Sequence, residues 1–251
     1  MSKTTLSSLP RQAGQAMVEY IVVFVSLMLL TFGMFEVAMI YKASFTLDDA
    51  TFRAAREGAL QNGFERPMRE KVVEGMAPLE MGSGGGIARY ARAVVRTRVQ
   101  HFNWPERWGG VRVDVLNPTR EIFNQFSVNQ YDLQTRRNIR QIPNDNLNAR
   151  SAVTRRVNTR GENVNINVQD ANLLKVRVHW CHSMTTPFVS RLIYTYFTRF
   201  GNSSPHWRAC RNRTTFFADD GEYFIPISSD SVIRMQSPVR CENRNCTNLR
   251  N

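Results

Sequence analysis

The sequence predicts an α+β protein: a long N-terminal helix, half membrane-spanning and half amphipathic, packed on an exported domain that contains an antiparallel sheet. Three observations predict it. From Tyr20 to Tyr41 the chain runs 22 residues with Glu36 as its one charge. Apolar residues then recur at helical spacing through about residue 62. Beyond that, stretches of alternating apolar and polar residues read as strands, interleaved with helical stripes.

The apolar run is long enough to cross a hydrocarbon core of about 30 Å, since a helix rises about 1.5 Å per residue. Lys3 and Arg11 precede it, with no acid before Glu19. A short positive flank stays cytoplasmic, so the chain after Tyr41 is expected outside the cytoplasm. The expected organisation is a cytoplasmic leader over 1–14, a helix over 15–62 with its membrane part at 20–41, and an exported α+β domain over 63–251. A cleaved signal peptide would have a shorter apolar region and an Ala-x-Ala-like end. Here the run closes on Ala38-Met39-Ile40-Tyr41-Lys42. An uncleaved anchor is the other reading, and Glu19 argues against it, because a carboxyl group at the start of a membrane helix is costly without a partner. For Glu36 two placements stay open: against a neighbouring helix, or at the far interface.

In the second half of the helix, Ala43, Leu47, Ala50, Ala54 and Ala55 form one stripe, and Asp48, Asp49, Arg53, Arg56 and Glu57 form the polar face. Pro67, Pro78 and Gly82–Gly86 interrupt the next stretch, leaving room for a short helix between them. Ile87, Tyr90, Val94, Val95, Arg98 and Phe102 predict a further amphipathic helix. Strands are expected at Val111–Val115, Val164–Val168 and Leu174–Trp180. Phe188, Leu192, Ile193, Tyr196 and Phe200 make another helical stripe, and Tyr223–Met235 reads as a last strand or hairpin. Residues 129–163 hold seven arginines, many asparagines and three acids, and much of this segment reads as an exposed loop.

Lys and Arg number 33 against 21 Asp and Glu, a formal net charge of +12. Such a surface suits acidic partners. The tryptophans and arginines together could hold a single nucleic-acid strand, but no DNA- or RNA-binding motif accompanies them, so they read as core packing and a solvated arginine-rich surface. No Gly-x-Ser-x-Gly, phosphate-binding loop or His-Glu-x-x-His is present. Gly82–Gly86 lacks the Lys-Ser/Thr that grips phosphate. An enzyme is not expected.

The four cysteines, Cys181, Cys210, Cys241 and Cys246, all lie in the expected exported part. An even count there predicts two disulfides. Of the three pairings, Cys181–Cys210 with Cys241–Cys246 is favoured, because the last two are close in sequence. His179-x-Cys181-His182 with His206-x-x-x-Cys210 has the residue types of a zinc site. Strand alternation, however, puts His182 on the face opposite His179 and Cys181. Neither a metal nor another cofactor is expected.

Gly14 stands directly before the apolar run in Arg11-Gln12-Ala13-Gly14-Gln15-Ala16-Met17-Val18-Glu19-Tyr20. A basic leader, a glycine, a glutamate five residues on and one apolar helix resemble the processing signal of a type IV pilin. The Glu19-Tyr20 pair resembles its tight-adherence (Flp) branch. Leu116-Asn117-Pro118-Thr119, Ile142–Leu147, Gln169–Lys175 and Ile233–Pro238 extend the resemblance, in patches, to the TadE-like pilus assembly proteins. The resemblance implies a minor pilin or pseudopilin, not an enzyme, that a prepilin peptidase cuts between Gly14 and Gln15. It implies an inner-membrane helix, a periplasmic domain, and later a place in the pilus or at the cell surface. The implied partners are major Flp-type and minor pilins, the peptidase and the inner-membrane assembly platform, in a homo- or hetero-oligomer. Glu19, with Tyr20 beside it, would pair with the amine of a neighbouring subunit. The chain is longer and more basic than a minimal pilin, which keeps two other readings open: an unprocessed periplasmic scaffold, and a tip subunit that adheres or captures DNA.

Overall fold

A computed structural model describes residues 15–81, 86–103, 105–132, 135–159, 161–186, 188–201, 204–216, 222–241, 246 and 248–249. Helix α1 (Gln15–Leu60) is unbroken over 46 residues, about 69 Å at 1.5 Å per residue. Hydroxyls within it bond back one turn, Thr31 to the Leu27 carbonyl at 2.8 Å and Thr51 to the Leu47 carbonyl at 2.7 Å. These hydroxyls thus need no outside partner. Asn62 and Gly63 take left-handed backbone angles, and the Gly63 N–H closes the helix on the Gly58 carbonyl at 2.9 Å.

Helix α2 (Glu65–Met76) packs against the second half of α1. Its approach depends on Gly75, where a Cβ would stand 2.6 Å from the Ala50 Cβ. A 3-10 turn (Ala77–Glu80) comes next, then α3 (Ile87–Thr97), which runs into a π-helical turn over Arg98–Phe102. Among the described residues, the remaining elements are a second 3-10 turn (Glu106–Trp108), β1 (Arg112–Asn117), α4 (Arg120–Phe126), β2 (Val128–Asp132), β3 (Arg137–Ile142), β4 (Arg155–Thr159), β5 (Glu162–Ile166), α5 (Val168–Ala171), β6 (Leu173–Met184), α6 (Val189–Phe200), α7 (Pro205–Phe216), β7 (Tyr223–Arg234) and β8 (Val239–Arg240).

The architecture is α+β with antiparallel sheets. The main sheet has the order β1-β6-β7, with Val178 of β6 opposite Val113 on one side and Ser229 on the other. Leu174, Val176 and Val178 of β6 and Val113 and Val115 of β1 are buried, in one core with Leu47, Ala50 and Ala54 of α1 and Met68 and Val72 of α2. A second sheet, β2-β3-β8, and a β4-β5 hairpin complete the fold.

Several expectations are corrected. Residues 129–163, much of which read as loop, form most of β2, all of β3 and β4, and the start of β5. Two of their arginines hold fixed places. Arg140 bonds the Ser127 hydroxyl at 2.7 Å and lies over the Phe123 ring, while Arg155 bonds the Gln125 carbonyl at 2.9 Å and lies over Phe126. Val168 begins α5 rather than extending a strand, because Asn167 caps the helix and turns the chain. The helices expected around Ile87–Phe102 and Phe188–Phe200 are present, but their apolar stripes face outward. Ile87 is 90% exposed and Phe188 79%. On α3 and the turn after it, Ala93, Thr97 and His101 are the buried positions.

Four phrases far apart in sequence meet beside the C-terminal end of α1. The buried Asn172 side chain donates to the Pro143 carbonyl at 3.0 Å and the Val168 carbonyl at 2.8 Å, and its backbone carbonyl accepts the Met235 N–H at 2.9 Å. Asn117 donates to the Asp170 carbonyl at 3.0 Å. Ser237 reaches the Ala59 carbonyl at 2.9 Å, and Asn62 the Pro238 carbonyl at 2.7 Å. Backbone groups at a junction without regular pairing are satisfied by amide side chains, which fix the sheet to the long helix.

Candidate functional site

Helix α1 changes character at Glu36. Before it, the side chains described from Met17 to Phe35 are exposed, apart from the half-buried Gly33. Val22 is 63% and Leu30 56% exposed. From Glu36 onward a stripe of one or two residues per turn is covered by the rest of the chain: Glu36, Ala43, Leu47, Ala50, Ala54. The exposed length, 19 residues, rises about 28 Å, close to a hydrocarbon core. The helix is long and apolar enough to cross a membrane.

Glu36 itself is fully buried. Its Oε2 accepts the Thr186 N–H at 3.0 Å and the Thr186 hydroxyl, and its Oε1 accepts the Thr185 N–H at 3.3 Å. The partner is the turn between β6 and α6, 150 residues away in this same chain. Just beyond this latch, Ile40 joins Met184, Trp207 and Ile225 in a small cluster with Ile193, Tyr194 and Tyr223. Between the exposed half of α1 and α6 runs an apolar groove of about 550 Å³, lined by Phe24, Val25, Met28, Leu29 and Phe32 on one side and Phe188, Arg191, Leu192 and Thr195 on the other.

Of the positions singled out for processing and assembly, Gly14 lies outside the described residues, and Gln15 is the first residue of α1. Glu19 is exposed, and Tyr20, one residue on, stacks on Phe24 with ring centroids 5.9 Å apart. The cysteines are bonded Cys181–Cys210 and Cys241–Cys246. The first bridge ties β6 to α7, and α6 lies within the loop it closes. The second sits by β8.

The histidines form two groups; the sequence placed His179 and His206 together but gave no sign of the partners of His101. His101 is buried, stacked on Trp180 at 3.8 Å, and its Nδ1 lies 3.0 Å from Arg213 Nη1. The Arg213 guanidinium also donates to the Gly109 carbonyl at 3.1 Å and covers the Phe224 ring at 4.5 Å. Burial, then the Arg213 charge, then His182 hold His101 well below its ordinary value, while burial pushes Arg213 down to about 10. The ring is therefore neutral beside a charged guanidinium. This is a structural pair: the ring and the guanidinium bond each other, and the guanidinium bonds the backbone.

The second group lines a cleft of about 580 Å³ beside the Cys181–Cys210 bridge. His179 and His206 stack at 3.3 Å with 13° between rings, and Asp114 Oδ2 is 3.5 Å from His179 Nε2. Burial first, then His179 and Arg112, push His206 down to about 4. Among the described residues, Asp114, His179 and His206 are the group whose ligand atoms are close enough to share a metal, within 4.8 Å. Two features oppose that use. Arg112 Nε already holds the Asp114 carboxyl at 2.9 and 3.0 Å, and near-parallel rings aim their in-plane lone pairs side by side rather than at one point. Cys181 and Cys210, which the sequence placed beside these histidines, are consumed by the disulfide.

The distinctive feature is therefore α1, whose first half is apolar and uncovered and whose second half anchors a domain. No match was found among curated proteins or among solved structures. Residues 14–56 match the family model described as TadE-like protein. That family suggests involvement in the Tad pilus system and implies interaction with other pilus components. Over this N-terminal segment, the stretch that forms the exposed half of α1 and most of its covered half, the chain is similar to the TadE-like family.

Proposed function

We propose that the chain is a minor pilin or pseudopilin of the Tad (Flp, type IVc) pilus. In this reading a prepilin peptidase removes residues 1–14, Gln15 becomes the new N-terminus, and α1 anchors the protein in the inner membrane. Residues 63–251 then lie in the periplasm and later in the pilus or at the cell surface. One observation supports this most: the apolar side chains described in the first half of α1 stay exposed, while the second half is engaged with the domain. An uncovered apolar half-helix needs lipid before assembly and neighbouring helices after it.

Glu19 takes its role from its position. After cleavage the Gln15 amine would start the helix one turn before it, and a carboxyl group among apolar neighbours is stable when an amine of another subunit neutralises it. Removing that carboxyl makes membrane insertion easier, so any loss in Glu19→Ala must come from subunit pairing. Glu19→Ala is expected to insert and to fail in assembly; normal pili from this variant would remove the pairing role.

The processing step is tested by N-terminal sequencing of the mature protein, which should begin at Gln15. Gly14→Leu should leave a chain 14 residues longer. A wild-type protein that keeps Met1 would sink this reading in favour of an unprocessed, signal-anchored scaffold.

A further inference from the structure

We propose that α6 is an interfacial membrane helix, and that the groove between it and α1 is a lipid-binding site for acyl chains beneath anionic headgroups. This rests on the reading that the first half of α1 lies in a bilayer. The first observation is the outward stripe. Phe188, Leu192, Tyr196 and Phe200 recur every four residues and are all largely exposed, with Phe197 beside them. An apolar helical stripe turned away from the core costs solubility unless something covers it.

The second observation is continuity. The groove pairs Phe188 and Leu192 with Phe24, Met28 and Phe32 of α1. Those α1 residues lie inside the apolar span, so what covers them at that depth also reaches α6. The Glu36 bonds to Thr185 and Thr186 hold the start of α6 against α1 and so fix this placement. The opposite side of α6 is occupied: Ile193 and Tyr194 pack on the cluster of Trp207 and Ile225.

The third observation is charge. From Phe188 to Phe216 the chain has no aspartate or glutamate, but it has five arginines. Arg213 is buried with His101, while Arg191, Arg199, Arg208 and Arg211 are exposed. A helix with large aromatic residues on one face, flanked by arginines and free of acids, is suited to sink its apolar face below the headgroups of an anionic leaflet. The aromatic side chains sit at the acyl boundary, and the guanidinium groups meet phosphate. The domain would then rest on the membrane at two points, α1 and α6, which fixes its orientation before assembly.

The test uses the full chain in vesicles of phosphatidylcholine and phosphatidylglycerol, with nitroxide labels at Leu192→Cys, Tyr196→Cys and Phe200→Cys. All three positions are exposed, so folding is little affected, and mass under non-reducing conditions checks that both native bridges survive. Val22→Cys on α1 and Asn163→Cys on β5 give the lipid and water references. The α6 labels should collide with oxygen in preference to a nickel chelate, as Val22 does, and this preference should fall when phosphatidylglycerol is left out. Nickel-chelate collisions equal to those at Asn163, with Val22 still lipid-like, would overturn the proposal while leaving the anchor intact. A water-like Val22 would overturn the anchor and the proposal together. Labels shielded from both reagents, with spin coupling between copies, would assign the groove to a second subunit instead of lipid.

Discussion

Replacing Glu36 by alanine should release the start of α6 from the long helix without unfolding the sheet. The Thr186 N–H and hydroxyl both donate to Glu36 Oε2, and Thr186 is buried. The Thr185 N–H donates to Oε1 from a more exposed position. Alanine leaves the two Thr186 donors without an acceptor, at about 1–3 kcal/mol each for a buried unsatisfied group. Water admitted to the space left by the side chain recovers part of that, so about 3 kcal/mol is expected. At about 1.4 kcal/mol per factor of ten, this is roughly a hundredfold rise in local opening. Amide hydrogen exchange of the full chain in detergent measures it directly. The Thr186 amide should exchange about a hundredfold faster, while Val178, paired on both sides within the main sheet, should keep its protection. Glu36→Gln keeps the shape but turns an NH2 group toward a donor, so it should lie between wild type and alanine. Thr186 protection unchanged in Glu36→Ala would refute the latch.

The geometry gives three further expected outcomes. Gly75→Ala forces a methyl group to 2.6 Å from the Ala50 Cβ, and the overpacking should destabilise by about 1–3 kcal/mol, less up to about 1 kcal/mol of gained helix propensity; a denaturant midpoint unchanged or raised would show that α1 and α2 can separate freely. His101 is held neutral when folded, so below pH ~6.5 the unfolded chain binds a proton that the folded chain refuses, and stability should fall with pH by about 1.4 kcal/mol per unit for this ring until its depressed folded value is reached. The slope should be shallower in His101→Gln, and equal slopes in denaturant titrations of the two proteins would contradict it. Removing Cys181–Cys210, which closes a separation of 29 residues, should cost more than removing Cys241–Cys246, with a separation of 5: about 3.6 against about 2.2 kcal/mol if chain entropy dominates. Equal midpoints for the two double-serine variants would argue against that ordering.

The sequence by itself determined what is local. A 22-residue apolar run with one charge makes the free half of α1, and the Ala43–Ala55 stripe makes its covered half, because helical periodicity is set by neighbours in the chain. The alternation Leu174–Trp180 identifies most of β6 for the same reason. Tertiary structure decided what each face meets. The stripes of α3 and α6 are plain in the sequence, but periodicity says only that an apolar face exists. Around His101 the core took Ala93 and Thr97 in place of Ile87 and Tyr90, and Phe188 and Phe200 were left outside. Arg140 and Arg155 read in the sequence as part of a solvated loop, and only the fold puts Phe123 and Phe126 beneath them. Asp114, His179 and His206 come from three elements, and Glu36 finds Thr186 150 residues on. A buried carboxyl group must have donors, and the sequence shows that demand. Only the closing of β6 against α1 supplies the donors, because contacts at that separation depend on the folded path of the whole chain.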